Sequence, residues 1–343
     1  MSSANTYIGV DLHKKTCYMT VMDKQGIVSK QTEIKNERED IGKFFKVYDA
    51  KDSKVAVEST MNWIPFYEQV EKMGFEVVLS NPLMTKAVAA ARIKNDKVDS
   101  KILAELMRTN FLPTAYIQPK AIRDLKELIR QRAVYVEMRT RIKNKIHSVL
   151  FKAGIKQEFS NLFGKGGRKF LAAADFRLLY RQEIDRYLLT LDNLSTQIKE
   201  LETEITAKAK SDYDCKLLCT IPGVGPYTAL TVKPEIGDIA RFHRAEQLCS
   251  YAGLIPSTYA SGEKIRTGRI TKRGSKWLRK ALVDAVTSSC RNQNKISVFY
   301  KKLKKSKGTG KAKVAAARKL CSIIFAMLTD KQPFKEFVPV KER

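Results

Sequence analysis

The chain has 343 residues and a formal charge of +28, from 64 Lys/Arg against 36 Asp/Glu. That length accommodates two or three domains, each with a core of its own, and that charge calls for a polyanionic partner. No run of about 18 apolar residues occurs, no long basic amphipathic helix dominates, and the opening Met-Ser-Ser-Ala-Asn-Thr-Tyr lacks an apolar export segment, so no membrane partner and a cytoplasmic location are expected.

The charge is unevenly spread. Residues 1–100 carry 15 Lys/Arg and 14 Asp/Glu, whereas residues 261–343 carry 23 against 5. A near-neutral head and a basic tail put the polyanion at the C-terminal end. The six cysteines are scattered. Cys215 and Cys219 have no matching Cys/His pair nearby, so all six read as reduced thiols rather than a zinc site.

In chain order, Tyr7–His13, Cys17–Met22 and a stretch ending at Ile34 read as an antiparallel meander. A helix around Glu39–Tyr48 follows, then a buried strand Lys54–Glu58, a helix Trp63–Met73 and a strand Glu76–Leu79. Three strands, helix, strand, helix, strand is the order of a ribonuclease-H-like α/β domain. Asp11 and Glu58 close apolar strands, where a carboxylate is costly unless it meets a partner or a metal. Asp96 and Asp99 stand three apart at the start of an apolar-periodic helix, on one face of it. Favourable charge at a helix N-terminus explains that pair equally simply. Together the four carboxylates form an oxygen-ligand site for Mg²⁺, either one ion per active site or two about 4 Å apart.

Ala121–Leu150 is helical and cation-rich, open both to a solvated face and to a surface tracking phosphate. Glycine-bearing residues 151–170 read as a loop. A second long helix, Asp175–Lys210, repeats apolar positions every three or four residues from Ile184 to Ile205. It reads as a helical hairpin or coiled coil and so as a dimer element, with pairing against the 121–150 helix as the intramolecular alternative. Ile221-Pro-Gly-Val-Gly225 sits between helices and resembles a helix-hairpin-helix turn, in which Gly223 and Gly225 let backbone N–H groups approach phosphate; a plain interhelical turn is equally open.

A helix Phe242–Tyr251 leads into a segment that reads as a flexible loop. It holds Ser261-Gly262 followed by Arg266, Arg269, Lys272 and Arg273. A hydroxyl ahead of many phosphate-seeking cations suggests chemistry on a nucleic-acid backbone; a basic turn with a surface serine is the plainer reading. Ser257 and Ser275 are rival hydroxyls, with Ser275 placed as a helix cap. A helix from Trp277 to Cys290, a basic loop Lys301–Lys313, an apolar helix Val314–Leu328 and a loose tail complete the chain. The expected divisions are 1–118, 119–212 and 213–335: metal domain, helical coiled-coil region, and mostly α domain with the hairpin and the serine.

These pieces in this order resemble the IS110-type transposases, also called bridge-RNA-guided recombinases. Gly9-Val-Asp11 with His13-Lys14, then Glu58, then Asn95-Asp-Lys-Val-Asp99 look like that family's RuvC-like DEDD set. Ile221–Gly225, Tyr251–Pro256, Ser261-Gly262, Gly268–Gly274, Leu278-Arg279 and Ala316–Leu320 look like its second domain. Thr271 stands where Ser is frequent, and Glu263 where a second Gly is frequent. The resemblance implies that Asp11, Glu58, Asp96 and Asp99 bind Mg²⁺ and that Ser261 is the nucleophile. It further implies strand exchange between donor and target DNA through a serine–DNA phosphodiester, a non-coding guide RNA, and a homo-oligomer (dimer or tetramer). The alternatives are a hydrolytic RuvC-like nuclease without a covalent step and an inactive nucleic-acid-binding protein.

Overall fold

Two strands near the N-terminus, Thr6–Leu12 and Ser53–Glu58, are buried at most of their positions. A computed structural model describes residues 4–89, 95–261 and 264–335, with backbone alone for 260, 261, 264 and 265. The chain divides into two compact units, Met1–Ile117 and Gln118–Arg343.

In the first unit, β1 (Thr6–Leu12), β2 (Thr16–Asp23) and β3 (Val28–Lys35) are followed by α1 (Arg38–Phe45), β4 (Ser53–Glu58), α2 (Trp63–Lys72), β5 (Glu76–Ser80), α3 (Pro82–Val88) and α4 (Asp96–Arg108). The order through β5 is the one expected. The sheet runs β3-β2-β1-β4-β5, antiparallel across the first three strands and parallel from β1 through β4 to β5. Because β1 and β4 are covered on both faces, they lack the polar alternation of a half-exposed strand. Ile8, Val10, Leu12, Val55 and Val57 pack with Phe45, Phe66 and Val70 of α1 and α2. Tyr7 and Ala56, on the opposite face, pack with Leu103 and Met107 of α4.

The α4 face is flat because Gly9 has no side chain. A Cβ there would lie 2.0 Å from the Ser100 carbonyl oxygen and 2.6 Å from the Ala104 nitrogen. Helix backbone therefore rests directly on strand backbone, and a buried 2.7 Å hydrogen bond between the Thr20 and Ser100 hydroxyls pins the contact.

The second unit contains α5 (Lys120–Lys152), α6 (Lys165–Ala173), α7 (Leu178–Ser211), α8 (Tyr213–Cys219), α9 (Pro226–Ile236), α10 (Ala245–Tyr251), β6 (Pro256–Ser261), β7 (Lys264–Ile270), α11 (Lys276–Ser289) and α12 (Lys295–Asp330). The apolar seam of α7, with Ile184, Leu191, Ile198 and Ile205 all buried, lies against α5 of the same chain. That seam is the intramolecular hairpin, and it supplies no dimer argument. Glu235 of α9, 5% exposed, joins three helices. It pairs with Arg130 at 3.3 Å and Lys126 at 3.5 Å, and accepts a 2.7 Å hydrogen bond from Ser275. Ser275 in turn caps α11 through the Leu278 N–H at 3.0 Å. Among the described residues, no helix is long and apolar enough to cross a membrane.

Three expected loops are corrected. Residues 165–173 of the glycine-bearing stretch form α6, because Gly167 lets the helix lie on the Leu162 backbone, where a Cβ would come within 2.1 Å. The serine segment is a β-hairpin, with Tyr259 opposite Arg266 and Ser261 opposite Lys264. The basic loop Lys301–Lys313 is helical except at Gly308, whose φ of 75° and ψ of 169° kink α12. Lysine and alanine favour helix, and a capping box at Asn294 and Ser297 starts it. Only glycine relieves the turn in the middle.

The Gly9 contact makes a signed comparison possible. Gly9→Ala forces a methyl into immovable backbone and is expected to cost about 3 kcal/mol or more. Gly42→Ala inside α1, where the nearest atom is 3.9 Å away, is expected to stabilise by up to about 1 kcal/mol. Urea unfolding of both variants checks the pair; equal effects would show that the close approach is not what sets the unit's stability.

Candidate functional site

Residues i and i+2 of a strand share a face, so Gly9 and Asp11 both look toward α4. Gly9 pairs with Ala56 on β4, which brings Glu58, two residues on, beside Asp11 on that same face. Small residues let the helix in, and the next residue on each strand is an acid. On α4, Asp96 lies one turn before Ser100, the residue seated over Gly9. Asn95 fixes the helix start, its side chain accepting from the Val98 N–H at 2.8 Å. The Asp96 carboxylate thereby arrives over the end of β1.

The meeting point contains a residue that the carboxylate pattern did not single out. His13 Nε2 lies 3.3 Å from Asp11 Oδ2 and 3.2 Å from Asp96 Oδ2. One ligand atom from each of Asp11, His13 and Asp96 falls within 4.8 Å of the others. Glu58 and Asp99 stand outside that triangle, yet both act on Asp11 through their charges. The signal for His13 was its place two residues after Asp11, just past the strand end.

Burial raises the Asp11 carboxyl above its ordinary range; His13 pulls it back, and Asp96, Asp99 and Glu58 push it further up. Burial draws the His13 imidazole down, but Asp11 and Asp96 outweigh it and leave it raised. Burial, with Asp11 adding to it, pushes the neighbouring Cys17 thiol up to about 12. Burial is the larger cause for Asp11 and Cys17, and the neighbouring carboxylates add to it; negative charge gathered at a half-buried site is what a bound cation relieves. The donor set fits a divalent metal.

In the second unit, Arg266, Arg269, Lys272 and Arg273 are exposed on and beside β7 and make no ion pair among the described residues. The Ser261 backbone ends β6; its side chain, with Gly262 and Glu263, lies outside the described residues. The rival hydroxyls are engaged. Ser257 Oγ donates to the Arg269 carbonyl at 3.1 Å, and Ser275 caps α11 and binds Glu235. The 221–225 turn does join two helices. Gly223 has a φ of 87°, and a Cβ on it would strike the Ser289 nitrogen at 2.3 Å, so packing on α11 accounts for this glycine; Gly225 faces open space. On α5, Arg130 is held by Glu235, and Arg132 by Glu202 and the Tyr227 ring, so those two cations serve the packing of the unit.

Residues 8–154 match the family model of the IS110 DEDD transposases, and residues 215–301 match that of the transposase IS116/IS110/IS902 family. The chain belongs to the IS110-type transposase family. It is therefore a transposase, an enzyme that recombines DNA. It is 29% identical to the transposase for insertion sequence element IS1111A of Coxiella burnetii, over 96% of this chain and 91% of that protein. It is 27% identical to the pilin gene-inverting protein of Moraxella lacunata, over 96% and 98%. With the transposase for insertion sequence element IS1328 of Yersinia enterocolitica it shares 26% identity over 81% and 82%.

The raised Asp11 has a consequence for the metal-free transposase. The folded state holds the Asp11 proton to higher pH than the unfolded chain does. The stability this contributes is present below the ordinary carboxyl value of 3.8 and is lost as pH rises through the raised one. At neutral pH an ionised Asp11 is a net cost. Asp11→Asn is thus expected to raise the urea midpoint in EDTA, whereas added Mg²⁺ raises only the wild-type midpoint. A lower midpoint for the variant in EDTA would show that the acid cluster is not strained.

Proposed function

We propose that this transposase cuts and rejoins DNA through a covalent bond between Ser261 and the DNA backbone, with Asp11, Glu58, Asp96 and Asp99 serving as a Mg²⁺ site on a ribonuclease-H-like, RuvC-like sheet. The observation that carries the reading is the acid cluster at the sheet end, where Asp11 is buried and feels the charges of His13, Asp96, Asp99 and Glu58. When bound, the cation supplies polarisation of the scissile phosphate. The residues of the hairpin do the rest. The Ser261 Oγ–P bond forms as a P–O bond to one deoxyribose breaks, and the serine proton leaves with the released hydroxyl. The number of P–O bonds is conserved, so reversal reseals a strand without ATP. Arg266 and Arg269 offset charge developing on the phosphorus oxygens. Lys272, Arg273 and the Gly225 backbone hold flanking phosphate. A DNA substrate keeps the expected cytoplasmic site of action.

The division 1–118, 119–212 and 213–335 assigns metal binding to the first part, the helical arm to the second and the serine to the third. A guide RNA and a dimer or tetramer follow from the family resemblance. The physical support for a nucleic-acid partner is charge: residues 285–329 contain eleven Lys/Arg and no Asp or Glu. Residues 304–311 of α12 are exposed on every side and carry four lysines. Like charges at helical spacing repel, and a nucleic-acid backbone neutralises them.

The test is a trapped adduct. Protein, labelled DNA, a structured RNA transcribed from the flanking element and Mg²⁺ are incubated, denatured and digested. A DNA-linked peptide containing Ser261 is expected from the wild type and none from Ser261→Ala, while Asp11→Asn yields neither adduct nor cleavage. Cleaved DNA without any adduct would instead establish the hydrolytic nuclease.

A further inference from the structure

We infer that His13 Nε2 is itself a ligand of the metal held by Asp11 and Asp96, and that this nitrogen makes the site prefer Mn²⁺ over Mg²⁺. The inference rests on the carboxylate-site reading above and goes beyond it, since a purely carboxylate set is all-oxygen.

The spacing matches coordination. In an octahedral ion with bonds of about 2.1 Å, neighbouring ligand atoms stand about 3 Å apart. The His13 Nε2 distances of 3.3 and 3.2 Å to the two Oδ2 atoms are edges of that size. An ion can therefore seat against the three atoms with little motion of any of them.

The His13 backbone, from which the imidazole projects, is also held on several sides. The His13 N–H donates to the Thr16 carbonyl at 2.9 Å. The His13 carbonyl accepts from the Asn36 and Asn62 side-chain amides, each at 2.9 Å. Three elements of the unit thus fix the residue from which the ring projects: the β1–β2 turn, the end of β3 and the start of α2. A histidine that merely shielded Asp11 from solvent would need no such clamp.

Ligand chemistry gives the preference. Carboxylate and water suit Mg²⁺, Ca²⁺ and Mn²⁺, whereas imidazole suits transition metals and binds Mg²⁺ poorly. Mn²⁺ is the ion of that group that accepts both donor types at octahedral geometry.

The experiment is electron spin-echo modulation of Mn²⁺ bound to the full-length protein at mildly alkaline pH, prepared with ordinary and with ¹⁵N-labelled histidine. Competition titration with Mg²⁺ runs alongside it. A directly bound imidazole nitrogen is expected in the wild type, changing frequency on ¹⁵N labelling. It is expected to vanish in His13→Gln, with the Mn²⁺/Mg²⁺ affinity ratio falling about tenfold. Should His13→Gln not fold, the double variant His147→Gln, His243→Gln assigns the signal, because retention of the coupling leaves His13 as its source and loss overturns the inference. Mn²⁺ that binds, is lost in Asp11→Asn, and shows no nitrogen coupling overturns the histidine ligand and leaves the carboxylate site standing. Failure of the wild type to bind Mn²⁺ at all overturns both.

Discussion

The first unit depends on one close approach, that of the α4 backbone to β1 at Gly9. A missing Cβ lets the Ser100 carbonyl and the Ala104 N–H come down onto the strand, and the Thr20–Ser100 hydrogen bond locks the seat. From that point the geometry is forced. Two residues along β1 and one helical turn back along α4 cover similar distances, about 7 and 6 Å, so Asp11 and Asp96 end at the same height. The parallel β4 delivers Glu58 there by the same count from Ala56. Any wider helix–sheet spacing would carry Asp96 away from Asp11 while leaving the sheet intact. Burial makes an ionised Asp11 costly where it stands, and the protein retains that cost at the sheet end.

The second unit solves a different problem, how to present a short hairpin and a row of cations from a mostly helical body. Its larger core joins one end of the α5–α7 arm to α8 through α12, and a second cluster packs α6 against the other end of that arm. The chain leaving the hairpin is fixed at two consecutive residues. Gly274 comes so near the Tyr251 carbonyl that a Cβ would lie 2.0 Å away. Ser275 ties the start of α11 to buried Glu235, and Glu235 in turn neutralises Lys126 and Arg130. Removing Glu235 would leave two partly buried cations unpaired, the costly way to break such a group. With internal cations satisfied in this way, those on β7 and along α12 are left to the solvent and to a polyanion.

Much of this was legible in the residues. The order of elements to β5 follows from short apolar runs separated by Asp, Gly and Asn-Pro, and the long arm follows from the seven-residue spacing of Ile184, Leu191, Ile198 and Ile205. What escaped has physical reasons. The hairpin carries glycine, serine and cations in place of alternating apolar residues, because it packs little against a core. Its strands are held by cross-strand hydrogen bonds, which leave no mark on composition. Gly308 and Gly310 read as a loop, yet the lysines and alanines around them propagate helix up to a single kinked residue. Gly223 reads as a phosphate contact, and the packing that also requires a glycine there involves Ser289, which lies far along the chain. His13 was part of the family pattern, but its position between Asp11 and Asp96 exists only once α4 has seated on Gly9.

The claim on which the account turns is that the seating of α4 on β1 builds a cation site. Crystals of the full-length transposase soaked in Mn²⁺ and measured at the manganese absorption edge test it most directly. An anomalous peak is expected within coordination distance of Asp11 and Asp96, at the C-terminal end of β1, and no such peak in crystals of Asp11→Asn. Manganese bound elsewhere on the first unit, with the Asp11–Asp96 position empty in the wild type, would contradict it.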